Sequence, residues 1–222
     1  MGTENLLQAS LKYGVKRFLQ ISTDEVYGPI KNGFFEEDSR LLPTNPYAAS
    51  KASADLLVES FYKTYKLPTL ITRSTNNYGP RQYHEKLVPL AIKNCLNYCP
   101  VPLYGDGNNI RDWLYVYDNC SAIDRVLRLG VPGEIYNISS NNEKKNIDIV
   151  NLIIQTINNI TLDVNIDKSL IKFVEDRKSH DERYGIDTNK IRTKLNWSPN
   201  YDFGNSFRDT IKWYVNYFKS KN

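Results

Sequence analysis

A chain of 222 residues, 41% hydrophobic and 24% charged, carries enough apolar material for a sizeable core and reads as globular. Its net charge of +4 comes from lysines and arginines scattered among acids, so no basic run of the nucleic-acid-binding kind is present, while small anionic ligands are compatible with it. The apolar runs are too short to span a bilayer and no signal peptide is evident, and three cysteines without framework spacing suggest reduced thiols and a cytoplasmic location.

In chain order, Thr3 to Tyr13 has Leu6, Leu7 and Leu11 at helical spacing, with Gly14 as its C-cap. Lys16 to Ser22 has the apolar content of a short buried strand, and Gly28 to Thr44 is loop. Asn45 and Pro46 open a long helix to about Tyr65, the asparagine as N-cap and the proline at the first helical position. Leu67 to Thr72 reads as a second strand, Asn76 to His84 as a polar loop turning at Gly79-Pro80, and Glu85 to Tyr98 as a helix. On that helix Cys95 and Cys99 fall at i,i+4, but no His or Cys lies close by to complete a metal site, so packing is the reading and no metal is expected. The elements then shorten: strand Val101 to Tyr104, turn Gly105-Asp106-Gly107, strand Asp112 to Val116, helix Asp118 to Leu129 and strand Glu134 to Ile138. Helix Ile147 to Ile160, a strand near Ile171 to Val174 and an amphipathic helix from Phe203 to Phe218 complete the chain.

Alternating strands and helices argue an α/β fold with crossover connections. A doubly wound dinucleotide fold opens on a strand and a Gly-rich turn, where helix N-terminal amides receive a pyrophosphate. This chain opens on a helix and contains no G-x-G-x-x-G or G-x-x-G-x-x-G. The expected fold is therefore a partial doubly wound, Rossmann-like parallel sheet whose N-terminal strands are missing, with a smaller C-terminal substrate-binding region. Residues 1–100 are expected to form the catalytic domain and 101–222 mainly the binding domain, with elements such as 112–138 returning to the first.

Two short runs carry chemistry. Tyr47 and Lys51 lie one helical turn apart on one face, where an ammonium beside a phenol favours phenolate and lowers the tyrosine's pKa. A phenolate can take a proton from an alcohol while hydride leaves the adjacent carbon. Tyr-x-x-x-Lys alone is weak, since a solvated helix face can contain it by chance. Ser22-Thr23 at the preceding strand end strengthens it. Asp24 and Glu25 are adjacent carboxyls, which by themselves fit an ordinary acidic loop. In a site, such a pair can divide labour, one protonated as acid and one ionised as base, as the elimination of water requires.

The runs S-T-D-E-V-Y-G, N-P-Y-A-A-S-K-A-S-A-D, N-N-Y-G-P, R-D-W-L-Y-V, N-E-K-K-N-I-D and D-R-x-x-H-D resemble the dTDP-glucose 4,6-dehydratases, a branch of the extended short-chain dehydrogenase/reductase family. The likeness extends from Gly2-Thr3 to Trp213-Tyr214. It implies a tightly held NAD that oxidises the glucose C4 hydroxyl, elimination of water across C5 and C6, and return of hydride to C6. Carried onto this sequence, it implies that Thr23 bonds the sugar hydroxyl, Asp24 protonates the leaving C6 hydroxyl and Glu25 removes the C5 proton. It further implies that Tyr47 is the base for C4 oxidation and that Lys51 binds the nicotinamide ribose. Asn76 would face substrate and Asn77 the cofactor.

The second half resembles the family's nucleotide pocket. Lys86, Arg111 and Arg177 offer the cations a pyrophosphate takes, with Leu87 beside Lys86. Pro102, Leu103 and Tyr104 resemble the wall on which thymine stacks, and Asn146 and His180 correspond to further substrate contacts. Three departures from the family pattern stand out: Arg177-Lys178-Ser179 where Arg-Pro-Gly is usual, Ser139-Ser140 for a glycine pair, and absence of the first third with its glycine fingerprint. Activity and NAD binding by this chain alone are accordingly expected to be weak. A UDP-glucose 4,6-dehydratase, a sugar-nucleotide epimerase and a non-catalytic nucleotide-sugar-binding fragment are the alternatives; an epimerase has no need of Asp24-Glu25. The resemblance also implies a homodimer through the helices Thr3 to Tyr13 and Tyr47 to Tyr65, whose apolar residues, including Leu6, Leu56, Leu57 and Phe61, suit such a contact and a monomer core equally.

Overall fold

The computed structural model describes residues 2–178 and 181–220. In chain order the elements are α1 (Gly2–Lys12), β1 (Phe18–Thr23), a 3-10 turn (Asp24–Tyr27), α2 (Pro46–Tyr65), β2 (Thr69–Ser74) and β3 (Asn76–Tyr78). They continue with α3 (Leu87–Leu96), β4 (Val101–Tyr104), β5 (Ile110–Tyr115), α4 (Val116–Leu129), β6 (Ile135–Ile138) and β7 (Glu143–Lys145). The last are α5 (Asn146–Thr161), a second 3-10 turn (Lys168–Leu170), β8 (Ile171–Val174), α6 (Asn189–Leu195) and α7 (Phe203–Lys219). They belong to two compact units: residues 1–75, 118–140 and 183–199 form one, and residues 76–117, 141–182 and 200–222 the other.

The first unit is built on a parallel sheet in the order β1-β2-β6. Its register sets Ser22 beside Arg73 and Thr23 beside Ser74, so the two strands end level. All six residues of β2 are buried, as expected for the middle strand of a parallel sheet covered on both faces. Leu7, Val58, Phe61, Leu67 and Ile71 pack together where α1 and α2 meet the sheet. Each such side chain contributes about 1.5–3 kcal/mol by leaving water. Asn45 caps α2 as its sequence indicates: Oδ1 accepts from the Ala48 amide at 2.9 Å and Pro46 occupies the first turn. Tyr62 N-terminal to the cap supplies the carbonyl that receives the Lys66 amide, and Lys66 closes the helix in the left-handed region at φ 58°. Gly28 ends the first 3-10 turn at φ 82°, and a Cβ there would lie 2.4 Å from the Leu42 carbonyl oxygen. Only glycine satisfies both conditions.

The second unit contains a sheet in the order β3-β5-β7 and a parallel pair, β4-β8. Its core gathers Val88, Ile92 and Cys95 from α3, Ile149, Ile153 and Ile157 from α5, and Phe207, Ile211 and Tyr214 from α7. Tyr78 is 2% exposed and makes edge contacts with Phe203 and Phe207 at 5.5 and 5.3 Å. Its hydroxyl lies 2.7 Å from that of Ser206.

The structure corrects several expectations. Asn76–Tyr78 is a strand, not loop: three residues with polar side chains still pair their backbones with Trp113–Tyr115. β7 and α6 carry too few apolar residues to have announced themselves by periodicity. Helix α3 stops at Leu96, where Asn97 is its C-cap and Tyr98 turns left-handed at φ 53°. Cys99 is thus beyond the helix and exposed, while Cys95 is buried, so the i,i+4 relation does not exist. Of the four apolar residues on the first two helices, Phe61 is core and Leu57 packs against it, whereas Leu6 and Leu56 face solvent at 62% and 59% exposure.

Candidate active site

The C-terminal end of β1 brings four of the sequence-selected residues together. Thr23 is the last strand residue and the N-cap of the turn Asp24–Tyr27. Its hydroxyl accepts from the Glu25 amide at 3.3 Å and donates to Asp24 Oδ1 at 3.1 Å. Asp24 is 4% exposed, while Glu25 is only half-buried and accepts from Asn45 Nδ2 at 3.3 Å. The two neighbouring carboxyls therefore occupy unlike surroundings. Tyr47, in the first turn of α2, lies near Thr23, and both acids lie within electrostatic reach of its phenol.

The direction of the Tyr47 pKa reverses the expectation from sequence. Partial desolvation, then the charges of Glu25 and Asp24, push it above its ordinary value against a smaller opposing influence of the nearby Thr23 hydroxyl. Lys51 does not lower it. Its Nζ donates at 2.5 Å to the Ile21 carbonyl, which fixes the ammonium on the strand below Thr23. Each charge acts on the group it faces, and helical spacing alone did not reveal which group that was.

Asn45 and Asp55 belong to this arrangement and were missed. Asn45 both caps α2 and holds Glu25, a dual use of its amide that its capping position concealed. Asp55 lies at i+4 from Lys51 and i+8 from Tyr47, on the same helix face, which is the signal that could have found it. Its Oδ2 accepts from Ser22 Oγ at 3.0 Å and from Arg73 Nε at 2.9 Å.

The second unit holds the remaining residues. Pro102 and Tyr104 are half-buried on one face of β4, while Leu103 points the other way into the core at 2% exposure. A wall on that face is thus made by Pro102 and Tyr104, without the Leu103 side chain. The Arg177 guanidinium lies 4.1 Å over the Tyr104 ring, a cation–π arrangement. Arg111 is 6% exposed, and its guanidinium donates to the carbonyls of Ile110, Asp181 and Glu182 at 2.7, 2.8 and 3.2 Å. It fastens the 181–182 segment to β5. Lys86 is the exposed N-cap of α3 and Leu87 its first residue, with no side chain capping the helix amides. Asn76 and Asn77 stand on β3, where the Asn77 carbonyl accepts from Gln82 Nε2 at 2.8 Å. Asn146 begins α5 and its amide donates to the Asn109 carbonyl at 3.1 Å. His180 lies outside the described residues. Among those residues, no helix is long and apolar enough to cross a membrane.

The family model described as GDP-mannose 4,6 dehydratase matches residues 1–210. A low-salt glycan biosynthesis protein, Agl12, of Haloferax volcanii is 48% identical over 96% of this chain and 66% of its own length. A dTDP-glucose 4,6-dehydratase of Actinoplanes sp. is 42% identical over 96% of this chain and 65% of its own. The crystal structure of DesIV, a dTDP-glucose 4,6-dehydratase from Streptomyces venezuelae with NAD bound, superposes with a TM-score of 0.92 at 42% identity. That match covers 97% of this chain and 65% of that one. The chain thus spans just under two thirds of the length of these relatives.

Proposed function

We propose that this chain, which belongs to the GDP-mannose 4,6 dehydratase family, carries the catalytic and nucleotide-sugar-binding parts of a dTDP-glucose 4,6-dehydratase. The observation that carries the reading is the gathering of a phenol, a hydroxyl and two unlike carboxyls at one strand end. A redox step alone needs the first two. The acid and the base are what an elimination adds.

In this reading Thr23 Oγ1 orients the sugar's C4 hydroxyl and Tyr47 Oη takes its proton. Glu25, the more accessible carboxyl, removes the C5 proton, and Asp24 delivers a proton to the departing C6 hydroxyl, which leaves as water. The proton returned to C5 completes the 4-keto-6-deoxy sugar. NAD, the cofactor of this reading, supplies the hydride acceptor at C4 and the donor to C6. The residues present fit its nicotinamide-ribose end. Lys51 and Tyr47 share one helix face, and the ammonium already places its donors along the end of β1, where a ribose diol can accept them. Asn77 completes the set proposed for the cofactor.

The nucleotide is assigned to the second unit: Pro102 and Tyr104 for the base, Lys86, Arg111 and Arg177 for the pyrophosphate, with Leu87, Asn76, Asn146 and His180 as further contacts and Leu103 supporting the wall from the core. The uncapped N-terminus of α3 beside Lys86 suits an anion. A homodimer through α1 and α2 and a cytosolic location, in keeping with three free thiols, are part of the same proposal.

Turnover tests it. NAD binding by the chain alone is expected to be weak, so the chain is joined behind the N-terminal segment of a family member. The fusion is incubated with NAD and dTDP-glucose, and the products are followed by mass spectrometry and proton NMR. The expected product has lost one water and shows a C6 methyl group, and Tyr47→Phe lowers its rate by at least about 100-fold, the scale of a lost general base. A folded fusion that binds the sugar nucleotide and NAD but forms no such product overturns the reading. UDP-glucose run in parallel decides which nucleotide the second unit prefers.

A further inference from the structure

Helix α2 grips strand β1 at two successive turns. Lys51 Nζ donates to the Ile21 carbonyl at 2.5 Å, and Asp55 Oδ2 accepts from Ser22 Oγ at 3.0 Å, while Tyr47, one turn before Lys51, lies near Thr23 at the strand end. Positions 47, 51 and 55 recur every four residues on one helix face, and residues 21–23 are consecutive on the strand. The proposed reaction uses Tyr47 and Lys51. It leaves Asp55 without a role.

Asp55 is costly to keep. It is 0% exposed, its partner Arg73 is 1% exposed, and one of its oxygens, Oδ1, is buried without a hydrogen bond among the described residues. A buried ion pair is at best a weak source of stability, and apolar side chains of similar volume often serve a core equally well. What a carboxylate adds is direction. Ser22 and Arg73 are register partners across β1 and β2, and both donate to the same oxygen, Oδ2. Arg73 reaches further: its Nη1 donates to Tyr27 Oη at 2.8 Å and to the Glu37 carbonyl at 3.3 Å. Tyr27 ends the turn that begins at Asp24. One oxygen therefore ties together the helix bearing Tyr47, the strand bearing Thr23 and, through Arg73, the far end of the turn bearing both acids.

We propose that Asp55 is a positioning residue of this site, whose Oδ2 sets the height and rotation of α2 on β1 so that the Tyr47 hydroxyl stays near Thr23, Asp24 and Glu25. The inference rests on the reading of Tyr47 as the proton-transfer group and adds the device that holds it in place. The charged groups facing Asp55 are Arg73 of β2 and Lys51 of its own helix; those facing Tyr47 are Asp24 and Glu25. When the grip is released, Tyr47 moves away from the two acids and towards water, and both changes ease its ionisation.

The test uses the chain labelled with [ζ-13C]tyrosine, with Tyr47→Phe identifying the resonance, titrated by NMR alongside urea denaturation. In Asp55→Asn the Tyr47 midpoint is expected to fall by about half a pH unit or more, a threefold change in ionisation constant. Ser22→Ala, which deletes one donor to Oδ2, should give a smaller fall. Asp55→Asn combined with Arg73→Gln replaces the ion pair by neutral amides; it should recover the urea midpoint while leaving the Tyr47 midpoint low. A Tyr47 midpoint that is unchanged or raised in the folded variants, with only the urea midpoint altered, shows a purely structural ion pair and overturns the proposal. If Asp55→Asn does not fold, the double variant and Ser22→Ala decide. The titration needs neither NAD nor sugar nucleotide, so its failure is distinct from failure of the dehydratase reading.

Discussion

Burial raises the hydroxyls of Tyr27, Tyr47 and Tyr214 alike, with the larger rises at Tyr27 and Tyr214. Tyr27 is fully buried: burial pushes its hydroxyl up to about 12 against the opposing Arg73 guanidinium. Tyr214, 2% exposed and donating to the Gln82 carbonyl at 2.9 Å, is also pushed up to about 12 by burial. A phenol whose folded value lies above its unfolded one binds its proton more tightly when folded. Its contribution is complete below about pH 10 and disappears as pH rises through about 12. Stability measured by urea denaturation is therefore expected to fall between those values. For Tyr27 a two-unit rise corresponds to a loss on the order of 3 kcal/mol. Tyr214→Phe, which keeps the ring and removes the proton, should decline less steeply than wild type over that window. Equal slopes would mean that the Tyr214 hydroxyl titrates alike in both states.

At the level of elements, α2 was legible because its start is chemically marked. Asn45 and Pro46 satisfy or dispense with amides that a helix leaves unpaired, and the structure places them as those rules require. Thr23, Asp24, Glu25 and Tyr47 could be singled out only as an ordered set and by resemblance, since Tyr-x-x-x-Lys alone is weak and two adjacent carboxyls by themselves fit an acidic loop. The structure does bring the four to one strand end. Asp55 and Arg73 were not legible, since a buried carboxylate on an amphipathic helix looks like any exposed one until the strand opposite is known. β3 and β7 were hidden because three-residue strands with polar side chains draw their pairing from the neighbouring backbone. Asn45 links the two classes, and a single substitution separates its duties. Asn45→Asp keeps an oxygen to cap Ala48 but loses the donor to Glu25 and sets a carboxylate beside it. Helix content and urea midpoint should change little, whereas Asn45→Ala should cost about 1 kcal/mol. Turnover should fall in both variants. If Asn45→Asp retains full turnover, the contact with Glu25 is dispensable.

For the whole molecule, the exposed apolar side chains of α1 and α2 argue for self-association. Leu7, Val58 and Phe61 account for the buried faces of these helices, yet Leu6, Leu56 and Tyr65 remain 62%, 59% and 51% exposed. Tyr13, just past α1, adds 75% exposure. Scattered exposed leucines are ordinary, but large apolar residues on two helices that pack on each other form a candidate isologous contact. A stable interface needs about 800 Å² from each partner, more than these side chains supply alone, so the flanking polar surface of both helices must be included. Sedimentation velocity over a concentration series is expected to show a monomer–dimer equilibrium. Leu56→Glu leaves the monomer's core untouched because its side chain is already in water, but in the dimer it buries a charge. It should weaken association at least tenfold, about 1.4 kcal/mol, with an unchanged circular dichroism spectrum. Association of undiminished strength would move the contact elsewhere, and the edge of β1, where Ile21 is 51% exposed, is the next surface to mutate.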